Sequence, residues 1–254
     1  MRLNYIDNID CLEGLKEIPD GSVDLVITDP PYGIGIKSQG AAKGGAAKLN
    51  PWADICNASL WYTAWLKECK RILKDDGALW SFINWRYFPT LYKAGLDCQW
   101  SIESLLVWDK CWIGPGGVKG LRPSYEQVAL FAMPDFKIKD RSLPDIQRFK
   151  WASYKPTGHP AEKPLDLIRW IIQTSGKKDG AVIVDPFMGS GTTGCAAVRE
   201  GCSYIGFDMD ADWVEKAEER IQTETEAAAA AEAVAIAEAI AAAEAVPDEE
   251  DWLT

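Results

Sequence analysis

Apolar residues along this chain fall into two alternating kinds of run, and the alternation predicts a layered α/β fold. Short runs rich in β-branched and aromatic residues read as buried strands: Val23–Thr28, Ala78–Ile83, Ser104–Trp108, Gln127–Phe131, Ala181–Val184 and Ser203–Phe207. Between them, apolar positions recur at helical spacing. Trp61, Trp65, Leu66, Cys69, Ile72 and Leu73 mark one helix, which Asp75-Asp76-Gly77 should stop. A second helix is expected near Pro89–Ala94, and a third from Asp210-Ala211-Asp212 through Trp213, Val214 and Glu215 towards Arg220. The expected architecture is a Rossmann-like mixed sheet with helices on both faces.

Three stretches break this rhythm. Gly33 to Lys48 is too glycine-dense for a stable element and reads as a mobile loop bearing Lys37, Lys43 and Lys48. Met133 to Thr157 lacks periodicity and carries Lys137, Lys139, Arg141, Arg148, Lys150 and Lys155 among Trp151 and Tyr154. From Glu226 to Val246 the chain becomes an Ala/Glu helix former. Its glutamates at 226, 232, 238 and 244 spiral round a helix instead of keeping to one face, so a solvated helical extension is expected. The chain thus divides into an α/β domain, residues 1–223, and an acidic tail, residues 224–254.

Charge sharpens that division. The net charge of −11 opposes the binding of a polyanion until it is located: nine acids and no Lys or Arg lie from Glu224 onward. Subtracting those nine from 38 acids leaves 29 against 27 bases, close to balance. Between Lys110 and Lys163 ten bases face five acids, the region to which a phosphate backbone would be drawn. The seven cysteines (11, 56, 69, 98, 111, 195, 202) are odd in number and contain no CxxC pair. They read as reduced thiols of a cytoplasmic enzyme, with neither a disulfide framework nor a metal site. His159 is the only histidine, which leaves little support for a His base. Nothing resembles a signal peptide or a membrane span. Most of the twelve tryptophans, Trp61, Trp65 and Trp80 among them, read as core residues.

Three segments carry candidate chemistry, each at the end of an expected strand. Asp29-Pro30-Pro31-Tyr32 follows Val23–Thr28. Asp29 can accept a hydrogen bond from an amino group, the Pro30 carbonyl a second, and Tyr32 offers a ring for stacking. Asp185-Pro186-Phe187-Met188-Gly189-Ser190-Gly191-Thr192-Thr193 follows the strand at 181–184. Its glycines allow close backbone approach to a ligand, and Ser190, Thr192 and Thr193 are candidate caps for the next helix. Neither the phosphate-loop pattern nor the GxGxxG spacing is present. Asp208 ends the strand after that, placed to take the two ribose hydroxyls of a nucleoside cofactor.

Together these segments resemble the S-adenosylmethionine-dependent DNA amino-methyltransferases that modify adenine N6 or cytosine N4. The catalytic motif precedes the cofactor loop, as in the circularly permuted β group. The resemblance extends to Asn8–Glu13, in which Asp10, with Cys11 beside it, would meet the adenine end of the cofactor. It also covers Gly158–Leu165, whose Lys163-Pro164 would lie against the cofactor. It implies that Asp29, Pro30, Pro31 and Tyr32 form the catalytic corner. The cofactor would be held by Asp10, Cys11, Asp29, Lys163, Asp185, Phe187, Gly189, Ser190, Gly191, Thr192, Thr193, Asp208 and Met209. By position, residues 132–158 correspond to a short target-recognition region. With the loops at 33–48 and 112–122 it would bring Lys37, Lys43, Arg122, Lys137, Lys139, Arg141 and Lys150 to double-stranded DNA.

The implied reaction is methylation of adenine N6 on a base rotated out of the duplex. Asp at position 29 favours adenine; cytosine N4 is the alternative, and a noncatalytic nucleic-acid-binding protein is the reading from another class. A homodimer and a cognate restriction endonuclease stand open as partners. One departure is visible: where the family often has a His-Glu pair, this chain has Ser124-Tyr125-Glu126, which leaves the role of that segment open.

Overall fold

The computed structural model of the chain describes residues 1–31, 55–114, 119–151, 157–159, 161–177 and 180–244. Eight strands among them form one sheet: β1 (Tyr5–Asp7), β2 (Val23–Thr28), β3 (Leu73–Ile83), β4 (Ser101–Asp109), β5 (Tyr125–Ala132), β6 (Ile146–Arg148), β7 (Val182–Asp185) and β8 (Ser203–Phe207). Their order across the sheet is β1-β8-β7-β2-β3-β5-β4-β6. Only β5 runs against its neighbours, so the sheet is mixed as expected.

Alternation along β2 explains the two layers of helices. Leu25 and Ile27 enter a core with Ile168 and Ile171 of α4 (Leu165–Thr174), Ala196 of α5 (Thr192–Arg199) and Ile221 of α6 (Ala211–Glu244). Val26 enters the opposite core, with Leu15 of α1 (Cys11–Lys16), Trp65 of α2 (Ile55–Ile72) and Leu91 of α3 (Phe88–Asp97). All three β2 side chains are fully buried, each contributing about 1.5–3 kcal/mol.

Asp24 interrupts this apolar strand and is buried with it. Its Oδ2 accepts from Val182 N and from Lys74 Nζ, both at 2.9 Å, and Lys177 Nζ lies 3.6 Å from Oδ1. The carboxylate therefore fastens the start of β2 to the start of β7.

Several boundaries differ from expectation. The helix ends at Ile72, and the chain passes directly into β3 at Leu73 without the expected turn at Asp75-Asp76-Gly77. Those residues are taken up as an irregularity in the β2–β3 register. They are held by Met133 N donating to Gly77 O (3.1 Å) and Asp135 N donating to Asp75 O (2.9 Å). Tertiary pairing has overridden local turn chemistry. The helices near residues 89–94 and at Asp210 both run longer than their spacing implied. β6 lies inside the stretch that lacks periodicity, where three residues are too few to register a pattern. α6 passes unbroken through the 223/224 boundary, with Ile221 its last buried residue and Glu224 paired to Arg199 at 2.5 Å. Beyond that, residues 229–238 are all exposed. Among the described residues, no helix is long and apolar enough to cross a membrane.

Replacing Asp24 by Ala should cost about 2 kcal/mol of stability, because it strands the buried Val182 amide and removes the acceptor of Lys74, while Lys177 keeps Asp76 at 2.7 Å. Urea unfolding of the two proteins measures this; a difference below about 1 kcal/mol would remove Asp24 from the account of the fold.

Candidate active site at the strand ends

The carboxyl ends of β2, β7 and β8 lie side by side, and each delivers one of the three motif aspartates. After β2 the chain crosses on the α2 face; after β7 it crosses on the α5 face. Connections that leave in opposite directions open a crevice between the strand ends, where ligands of open α/β sheets bind. Here that crevice is a cleft of about 500 Å³ lined by Asp29, Pro30, Pro31, Lys163, Asp185, the loop at 187–193 and Asp208. A smaller pocket of about 180 Å³ adjoins it, lined by Asp10, Cys11, Trp61, Phe187, Asp208 and Met209 among others. Phe187 and Asp208 border both.

Asp185 anchors the cleft floor. Its Oδ1 accepts from Thr28 Oγ1 at 2.8 Å and Phe187 N at 3.0 Å, and its Oδ2 accepts from Thr193 Oγ1 at 2.6 Å. Burial pushes its pKa up to about 6, although the bonds from Thr193, Thr28 and Phe187 pull the other way. The expected capping by Ser190, Thr192 and Thr193 is not what their side chains do. The residue capping α5 is Gly191, with no side-chain cap bond, while Thr193 goes to Asp185 and Ser190 shares a bond with Thr192 at 3.2 Å. Gly191 (φ 77°) has the left-handed backbone of that turn, and a Cβ there would meet Ala217 of α6 at 3.0 Å.

Asp208 Oδ2 accepts from Gly189 N at 2.8 Å and Oδ1 from Asp210 N at 2.9 Å. Each oxygen of an ionised carboxylate can accept a further bond, so two hydroxyls are within its capacity. Asp10 spends Oδ1 on Leu12 N at 2.8 Å, capping α1, and keeps its second oxygen. The Cys11 thiol is buried and its pKa is pushed up to about 12 by burial and by Asp10, so it stays protonated. The two pockets, the paired glycine turns and a carboxylate at their junction fit a nucleoside cofactor with a short amino-acid arm.

Asp29 lines the cleft beside Pro30 and Pro31, and its carboxylate accepts a hydrogen bond from Lys163 Nζ. Tyr32, Lys37 and Lys43 lie outside the described residues. Of the other bases expected at DNA, Lys150 lies just past Arg148, the last residue of β6, which runs parallel to β4 towards the cleft side. Lys137 and Lys139 do not. Lys139 N donates to Thr174 O at 2.9 Å, and the segment leaves the sheet beside Gly77, at the opposite end from the cleft. Arg141 shares a shallow depression with Lys137. Arg122 is exposed, and its guanidinium donates to Gly114 O at 2.8 Å and Ile113 O at 3.1 Å.

Some residues of the cleft carried no clear signal in the sequence. Trp61 is only part-buried: it packs against the core beside Trp65, their ring centres 6.0 Å apart, and on Phe187 at 5.4 Å, and it also lines the smaller pocket. His159 packs edge-on against Trp213 at 4.4 Å, and its ring lies over Gly189. Arg220 of α6 donates to Ser190 O at 2.9 Å and pairs with Glu162 at 3.1 Å, tying together two segments at the cleft. Among the described residues, no cluster of His, Cys, Asp and Glu could hold a metal ion.

Comparison with known proteins places this geometry. The N6/N4 family model described as DNA methylase matches residues 23–219. The type II methyltransferase M.HinfI of Haemophilus influenzae is 29% identical over 251 residues, covering 87% of this chain and 68% of the relative. M.HpaI of Haemophilus parainfluenzae, also a type II methyltransferase, is 27% identical over 84% of this chain and 72% of its own. In solved structures, the fold matches an M1.HpyAVI–SAM complex at a TM-score of 0.67 and 20% identity, covering 85% of this chain and 98% of that one. It matches the cytosine-N4-specific PvuII DNA methyltransferase at 0.67 and 18%, covering 90% and 93%.

Asp185 yields a signed pH prediction. Between pH about 4 and 6 the folded state keeps a proton that the unfolded chain has released, so its contribution to stability is full below that window and lost as pH rises through it. Relative to Asp185→Asn, the wild-type protein should lose up to about 3 kcal/mol across this window and then run parallel. Denaturant titrations of both proteins at a series of pH values test it; a difference that does not change with pH contradicts the burial assigned to Asp185.

Proposed function

The chain belongs to the N6/N4 DNA methylase family, and on that premise we propose that it methylates adenine N6 in double-stranded DNA, using S-adenosylmethionine. The observation that carries this reading is that Asp29-Pro30-Pro31 opens into the same cleft as the glycine loop and Asp208. The acceptor for an amine and the seat for a nucleoside cofactor are therefore one site.

When bound, the cofactor supplies an electrophilic methyl group. The protein's part is to present a nucleophilic nitrogen. The Asp29 carboxylate and the Pro30 carbonyl accept the two N–H bonds of the exocyclic amine, which holds the nitrogen in place. Asp29 is also the base in contact with the proton that the nitrogen must release. Asp208 and Asp10 serve the ribose and adenine ends, and Phe187 with Trp61 walls the smaller pocket. A target amine inside a duplex cannot reach this cleft, so the base must leave the stack. Asp at position 29 supports adenine as that base. The fold shared with a cytosine-N4-specific enzyme supports cytosine as the second reading.

Incubating unmethylated DNA with labelled cofactor and digesting it to nucleosides should yield N6-methyl-2′-deoxyadenosine; N4-methyl-2′-deoxycytidine would replace the adenine reading with the cytosine one. Asp29→Ala should abolish incorporation while cofactor affinity stays within about an order of magnitude, since Asp208 and the glycine loop are untouched. Retained turnover would remove Asp29 from the mechanism.

The placement of the bases makes a separate prediction. Neutralising Arg148 and Lys150 together should weaken DNA binding and lower its salt dependence by roughly one unit of slope per lost phosphate contact. Neutralising Lys137, Lys139 and Arg141 should do much less, because they lie away from the cleft. Titrations at several salt concentrations compare the two variants, and the opposite ranking would put the DNA on the other end of the sheet.

A further inference from the structure

The charges beneath Asp29 extend past one ion pair. Lys163, its side chain 10% exposed, donates to Asp29 on one side and lies 3.4 Å from Glu126 Oε2 on the other. It also donates to Ala161 O at 3.3 Å and lies 5.0 Å from the Phe82 ring centre. The two carboxylate contacts are unequal. The one to Asp29 is a hydrogen bond. The one to Glu126 is not: Oε2 is shut off from solvent and has no hydrogen-bond partner, while Oε1 accepts from Lys110.

Both members of this second contact are charged. Burial works against the Lys163 ammonium, but Asp29 and Glu126 outweigh it and raise its pKa. Burial likewise works against ionised Glu126, and Lys163 and Lys110 outweigh it and lower its pKa. An ionised, buried oxygen lacking a donor, set next to an ammonium that is bonded elsewhere, is an acceptor kept in reserve.

The reserve has a use. A target amine needs the Asp29 oxygens, one of which Lys163 now occupies. We propose that Glu126 is a positioning residue that takes the Lys163 ammonium over from Asp29 when the target amine arrives. The inference rests on Asp29 being the amine acceptor. Closing the gap to a charge-assisted hydrogen bond needs a shift of only about half an ångström, within reach of a flexible lysine stem. No charge is created or lost, because the ammonium exchanges one carboxylate partner for another. Without Glu126, the same step would leave a buried ammonium unpaired. This gives the Ser124-Tyr125-Glu126 segment a role in the cleft.

Methyl transfer to unmethylated bacteriophage DNA, at saturating DNA and cofactor, tests the handover. Glu126→Gln should lower kcat by about tenfold or more and leave cofactor affinity within about twofold. In a Lys163→Met background, itself slow, the same substitution should change kcat by less than about twofold, since no ammonium remains to be moved. Additive losses would overturn the proposal. Lys110→Met removes the other partner of Glu126 but leaves the reserve oxygen; a kcat loss as large as that of Glu126→Gln would mean that Glu126 only supports structure. Should Glu126→Gln not fold, Glu126→Asp keeps the charge but withdraws the oxygen, and wild-type kcat in that variant would equally overturn the idea. Asp29→Ala in the same assay keeps the two readings apart. Turnover there sinks the role of Asp29 itself, whereas additivity between positions 126 and 163 with Asp29→Ala inactive sinks the handover alone.

Discussion

The hydrogen bonds of Asp185 are the constraint on which the cleft depends. One carboxylate accepts from Thr28 at the end of β2, from Phe187 in the loop after β7, and from Thr193 in the first turn of α5. It thereby sets the spacing between the strand that carries Asp29 and the turn that holds Gly189 and Gly191. The cost is a buried carboxyl whose pKa is pushed up to about 6, so ionising it at neutral pH works against stability. A group that destabilises the fold while ordering a cleft is typical of a binding site under strain, and it separates Asp185 from Asp24. Asp24 has two lysines beside it at the other end of β2 and serves only to fasten strands.

Charge in the cleft is arranged by the same logic. Asp29, Lys163, Glu126 and Lys110 alternate in sign, so each buried charge has an opposite neighbour. Such a chain adds little net stability, because desolvation offsets most of the attraction. Its value is positional: the Lys163 ammonium orients the Asp29 carboxylate at the edge of the cleft.

Much of the fold was legible because its signals are local. β-branched runs marked β2, β7 and β8, and the glycine turn after β7 marked where a ligand could approach. What was not legible depends on contacts distant in the chain. Asp75-Asp76-Gly77 has turn chemistry, yet pairing with the segment after β5 draws it into β3. Ser190, Thr192 and Thr193 have the composition of caps, but Asp185 recruits the last and Arg220 the first two for tertiary bonds. The bases between residues 137 and 141 look like one patch with Lys150 in sequence, and only the direction of β6 separates them. Glu126 could not be assigned because Lys163, and through it Asp29, comes beside it only when β5 and β2 flank β3.

The central claim is that one cleft seats the cofactor and receives the amine. A crystal structure with sinefungin, a cofactor analogue whose amine replaces the reacting group, tests it most directly. The account predicts ribose hydroxyls on Asp208, the adenine in the pocket of Trp61 and Phe187, and the analogue's amine directed towards Asp29. An analogue bound elsewhere, or one whose amine points away from Asp29 with Asp208 still bonded only to Gly189 and Asp210, would contradict it.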